Sequence, residues 1–156
     1  VGAFDDPLVY WGDVPPSMQT FIVPWMFVAA TGYLMMFQRF FFAWSEEEIA
    51  ALHWPGGVAD GQGVRRLFIL YAAFLLTSML WIDLTRMYIL SPSTLGAVVV
   101  VVVLWIAGLA SVGFGVLVWP SRHRLKGANI ALAGCLMLSI QCTGWDAIYW
   151  VMNFGW

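Results

Sequence analysis

Asp83, Arg86 and Asp146 are charged residues set inside long apolar stretches, and they are the first candidates for chemistry. Asp83 and Arg86 are three apart, a spacing that puts both on one face of a helix. Asp146 lies as far from the end of its own apolar stretch as Asp83 does from the end of its stretch, so contact between them is expected at that depth. An unpaired charge in hydrocarbon is costly, and the planar guanidinium of Arg86 has donors enough to bridge both carboxylates. Such a cluster has two readings. One is a proton or substrate site, with Ser139, Gln141 and Thr143 as further polar lining. The other is an ion-paired clamp between two helices, or toward a partner subunit. A position near the membrane surface allows partial solvation without any transport role, which favours the clamp.

Other chemistry is thinly represented. Cys135 and Cys142 are seven apart on one expected helix, about 10 Å by the helical rise, which is beyond disulfide reach. They are read as small packing residues. The sequence holds no CxxC, no Cys and His ligand set and no HExxH, so neither a structural zinc nor a redox centre is expected. His53 and His123 both flank basic connections at one end of the expected bundle, which argues against a haem held between helices by two histidines. Each is read as an interfacial residue, with axial ligation of a chlorophyll magnesium as the alternative. Gly-rich phosphate loops and nucleophile elbows are missing too.

The elements that must position these residues follow from composition. Of 156 residues, 62% are hydrophobic and 10% charged, too little polar surface to cover a soluble globule, so the chain is read as an integral membrane protein. A net charge of −2 offers no basic field for nucleic acid. Four apolar stretches, 17–44, 64–89, 94–118 and 126–152, each exceed the roughly 20 residues a helix needs to cross a bilayer. They are apolar all round rather than alternating, which excludes a β-barrel. Even the valine-rich run 98–103 stays helical in lipid, where an unpaired amide is prohibitive. The expected architecture is a single all-α domain, four transmembrane helices in an up-down bundle. Ser17 is expected to cap the first helix and Pro24 to kink it. Ser91, Pro92 and Ser93 mark a tight reversal, and Pro120 with Ser121 ends the third helix. The first connection carries a possible capping box, Ser45 and Glu48, which predicts a short interfacial helix over 46–54, with Gly61 and Gly63 keeping the remainder loose.

Orientation follows from charge. Arg39, Arg65, Arg66, Arg122, Arg124 and Lys126 flank the first and third connections, and only Arg86 lies toward the other face. The positive-inside rule then places both termini on the lumenal or outer side and the basic connections on the stromal or cytosolic side. Asp5, Asp6, Asp13, Asp83 and Asp146 lean toward the terminal side. Trp44, Trp54 and Trp119 are expected at one interface, and Trp145, Trp150 and Trp156 are among those expected at the other. The chain begins Val1-Gly2-Ala3, as a mature chain would after a targeting peptide is removed on that outer or lumenal side.

Packing has its own signature. Gly127, Ala131, Cys135, Ser139, Thr143 and Ala147 recur every four residues along the fourth helix, and Ala107, Ser111 and Gly115 do so on the third. Small residues let backbones approach in lipid. A four-residue step drifts around a helix of 3.6 residues per turn, so the longer row is expected to serve two partners in succession. Together these features point to a non-catalytic accessory subunit of a larger membrane complex. A bioenergetic assembly is favoured, photosynthetic before respiratory, in a thylakoid before a mitochondrial inner membrane, contacting other membrane subunits, bound lipid, chlorophyll, carotenoid or quinone. The alternative is a small homo-oligomeric transporter or channel using Asp83, Arg86 and Asp146. An intramembrane enzyme acting on lipid ranks last, for want of a nucleophile and base at sensible spacing.

Overall fold

The structure, a computed structural model, describes residues 7–156. The expectations resting on Val1, Gly2, Ala3, Asp5 and Asp6 lie outside the described residues. Four helical rods, Pro16–Ala43, Gly63–Leu90, Thr94–Ser121 and Ala128–Asn153, are each long and apolar enough to cross a membrane. They are called the first to fourth spans, and they run up and down with the chain ends at one end of the bundle and the first and third connections at the other.

Local chemistry sets the boundaries. Ser17 does not cap the first span: Pro15 is the N-cap and Pro16 occupies the first turn, where a missing N–H costs nothing. The helix continues through Pro24, which leaves the Thr20 carbonyl without its helical donor. Ser93 caps the third span by accepting from the Gly96 amide at 3.1 Å. That span closes in a 3-10 turn, Trp119–Ser121, around Pro120. The fourth span starts at Ala128 rather than 126, because Gly127 holds a left-handed conformation at φ 77° and sits outside the helix.

The capping box forms as expected, with Ser45 N–H donating to Glu48 Oε2 at 2.8 Å and Glu48 N–H to Ser45 Oγ at 3.3 Å. The short helix is Glu46–Ala50, however, and does not reach Trp54. Leu52 is wholly buried in the core, and that anchor pulls the chain out of helical geometry. Gly63 is not loose either. It is buried, and a Cβ there would run into the Ile49 carbonyl, so it is the contact that seats the short helix on the second span.

The second span packs along the third, the third along the fourth, and the fourth along the first. The closest approach of the first and fourth spans is Gly32 against Gly134, where a Cβ on either residue would lie under 3.0 Å from the other's carbonyl oxygen. The backbones of the first and second spans stay apart. At the loop end large rings fill that gap: Tyr33 stacks on Phe74 at 6.1 Å, and Tyr71 lies 4.8 Å from Phe114 and 6.3 Å from Phe40. Toward the chain ends a second cluster, built on Ile22, Val100, Leu104, Ala147, Trp150 and Phe154, closes the core less completely.

The fourth span changes its winding half-way. From Ile140 to Trp150 it is a π-helix, with α-helical turns before and after. A π-turn pairs residues five apart rather than four, and it occurs frequently at functional sites. The first span ends in the same way over Arg39–Ala43, with Trp44 N–H donating to the Arg39 carbonyl at 3.0 Å.

Candidate functional site

The π-helical winding sets the side chains of the terminal end. Gln141 and Asp146 are five apart, and in this register Gln141 Nε2 donates to Asp146 Oδ1 at 2.8 Å. Trp145 and Trp150, also five apart, line the same cavity as Asp146. Trp81 of the second span meets Trp150 edge-on, with centroids 5.9 Å apart and planes at 79°. The Trp150 indole N–H donates to the Tyr10 carbonyl at 2.8 Å, and Asp13 N–H to the Asn153 carbonyl at 2.9 Å, so the amino-terminal segment is strapped over the end of the fourth span.

These contacts enclose a cavity of about 310 Å³ between the spans, with Tyr10 and Trp11 on the terminal side and Ile22, Met26, Ile82 and Leu104 among its apolar walls. Among the described residues Asp146 is the one charged residue in its lining. Met26 and Ile82, on the first and second spans, are 42% and 48% exposed, and the cavity opens between them. Among the described residues no ring pair joins these two spans at this level, as Tyr33 with Phe74 does nearer the loop end.

The expected three-residue cluster is not assembled. Asp146 faces the interior with Gln141 as its donor, whereas Asp83 and Arg86 stand on the exposed side of the second span. The physical reason is the π-helix, which turns Asp146 into the bundle and offers it an amide five residues back. Asp83 shares its exposed stripe with Leu76, Met79, Met87 and Leu90. Ser139 and Thr143, expected as polar lining, turn to backbone instead: Ser139 Oγ–H donates to the Cys135 carbonyl at 2.7 Å and Thr143 Oγ1–H to the Gly108 carbonyl of the third span at 3.1 Å.

The packing row divides between two neighbours. Cys135 is buried with its sulfur 3.7 Å from Met36 of the first span, while Thr143 meets Gly108 of the third, and Ala131 and Ala147 are buried. Gly127 takes a different part, since the guanidinium of Arg39 lies where its side chain would be. Arg39 therefore packs on the third connection. Sequence reasoning missed Gly32 and Gly134 because each matters only through the other, across a hundred residues.

At the loop end, His53 Nδ1 lies 3.0 Å from the Trp54 carbonyl, which can only accept, so Nδ1 is the donor of that contact. His123 is exposed. Trp44, expected at the interface, is buried and donates its indole N–H to the Lys126 carbonyl at 3.0 Å. A second, apolar groove of about 510 Å³ runs between the third and fourth spans beside Val112, Gly115, Val116, Leu132 and Leu136. Among the described residues no three His, Cys, Asp or Glu side chains are grouped to hold a metal. Comparison with known proteins finds no matching family, no similar curated protein and no similar solved structure.

Proposed function

We propose that this membrane protein is a non-catalytic accessory subunit of a larger membrane complex, held laterally against its neighbours through the outer face of the second span. The observation that carries the reading is Asp83. Its carboxylate stands on an exposed helix face seven residues from the end of the span at Leu90, about 10 Å along the axis. Hydrocarbon is a poor setting for a carboxylate, and a polar group on an adjacent subunit is a better one. The flanking Met79 and Met87, 73% and 65% exposed, add adaptable apolar surface to the same stripe.

The host is proposed to be bioenergetic, photosynthetic ahead of respiratory, with the termini on the lumenal side of a thylakoid. Support for the orientation is the placement of six of the seven basic residues around the first and third connections. Support for pigment or lipid contact comes from Phe27, Phe42 and Phe68, which project their rings from the bundle, and from the apolar groove between the third and fourth spans. His53, whose Nδ1 is engaged by the Trp54 carbonyl and whose Nε2 is the remaining ring nitrogen, is the candidate ligand for a chlorophyll magnesium at the loop end, and His123 the second. The alternative, transport by a homo-oligomer, loses support from the rings that pack the loop end of the bundle, since a pathway would then have to run between copies.

The test is purification of the full chain from its native membrane in mild detergent, beside the double variant Asp83→Ala, Arg86→Ala. The expected result is a set of co-purifying membrane proteins with the unmodified chain and their loss with the variant, at unchanged helicity. Recovery of the unmodified chain alone, as a uniform oligomer, would overturn the reading.

A further inference from the structure

We propose that the cavity at the terminal end of the bundle is a receptor for an organic ammonium group, held by the Asp146 carboxylate against indole faces. The argument begins with charge. Among the described residues Asp146 is the one charged residue lining a chamber otherwise walled by apolar and aromatic side chains, and its hydrogen-bond donor, Gln141, is neutral. A carboxylate in such surroundings calls for a cation.

The walls select which cation. Trp81 and Trp150 meet nearly at right angles, and Tyr10, Trp11 and Trp145 line the same chamber, so five aromatic side chains surround it. Aromatic faces attract cations, and aromatic-lined sites suit quaternary ammonium groups, which are more weakly hydrated than a primary ammonium and so lose less on leaving water. A bare metal ion would need several oxygen donors, and the described residues of the lining supply one carboxylate. A volume of about 310 Å³ is large enough for a small organic cation rather than an inorganic ion alone.

The framework is held in place before any ligand arrives. Trp150 is fixed by its bond to the Tyr10 carbonyl, and Asp146 by Gln141. The Trp145 indole N–H, in the same wall, is buried with no acceptor among the described residues. An oxygen close to the ammonium of the ligand would supply one, as in choline and its esters. The opening between Met26 and Ile82 faces the side of the bundle, which allows an apolar tail to remain outside while the head is bound. The same chemistry is offered by free amino alcohols and by the head groups of zwitterionic lipids.

The experiment uses the full chain in nanodiscs and follows tryptophan fluorescence on titration with choline. Its uncharged isostere, 3,3-dimethylbutan-1-ol, is the control for apolar binding. In phosphatidylglycerol nanodiscs a saturable change with choline is expected. It should be weakened roughly tenfold or more in Asp146→Asn, as for loss of a charged hydrogen bond, and restored in part by Asp146→Glu. Loss of choline binding in phosphatidylcholine nanodiscs would identify the lipid head group as the source, and equal binding there would identify a free amine. Either result supports the receptor. Should Asp146→Asn misfold, the isostere on the unaltered chain decides: binding as tight as that of choline overturns the proposal, as does the lack of any saturable change.

Discussion

At the scale of single residues, Arg66 organises the mouth of the second span. Its guanidinium donates to the Leu52 carbonyl at 3.0 Å and to both oxygens of Asp60, at 2.8 and 2.6 Å. The hydrogen bond from Arg66 holds the Asp60 carboxyl below its ordinary value, and the Gln62 amide adds to the effect. A carboxyl depressed in the folded state stabilises it above the unfolded value, about 4, and that contribution fades as pH falls through the folded value. Hydrogen-exchange protection of the first connection should therefore hold from neutral pH down to the carboxylate range and fall below it. In Asp60→Asn it should be lower at neutral pH and insensitive to acid; an unchanged acid response would show that another group controls the loop. Asp60 and Arg66 are six apart across a loop, a separation that no helical rule marks. The pairing of Gln141 with Asp146 was illegible for a related reason. Readings based on 3.6 residues per turn look three and four positions away, and the bond spans five. Asp83 and Arg86 were legible as a helical pair on one face; which way that face points depends on how the whole span packs.

At the scale of elements, the contact that aligns the first and fourth spans is backbone on backbone. Gly32 and Gly134 approach so closely that a larger side chain at either would push the helices apart. Gly134→Leu is expected to cost about 1–3 kcal/mol, the usual range for overpacking, read as a lowered midpoint of thermal or denaturant unfolding in detergent. Gly144 is the control within the same span. A Cβ there meets nothing within 4 Å, so Gly144→Ala should leave the midpoint unchanged or slightly raised. Equal losses from the two variants would mean that glycine acts through helix propensity and not through contact. The spans themselves were readable to within two residues at most boundaries, since apolar length and proline punctuation are local properties. So was the capping box of Ser45 and Glu48. The early end of the short helix was not, because it depends on Leu52 finding a place in the core of other spans. The π-helical stretch has no sequence signature of comparable strength: Ile140–Trp150 carries the same apolar mixture as α-helical membrane segments.

At the scale of the whole molecule, the bundle is built in two unequal halves. Rings from three spans pack the loop end, around Tyr71 and Phe114, whereas the terminal end holds the Asp146 cavity. The exposed stripe of the second span, bearing Met79, Asp83 and Met87, points away from both. Four-helix composition and charge bias identify the solvent in which this architecture lives. They say little about which face is covered, because lipid and an apolar protein neighbour select the same residues; the buried and exposed sides of each span differ mainly where a charge interrupts them. Asp83 is such an interruption. The most direct test of the account is site-specific photo-cross-linking in the native membrane, with a benzophenone side chain at Met79 on this stripe and at Leu95, 74% exposed on the third span, as reference. A protein adduct of discrete mass from position 79, with lipid adducts predominating at 95, is the expected result; lipid adducts alone from both positions would contradict it.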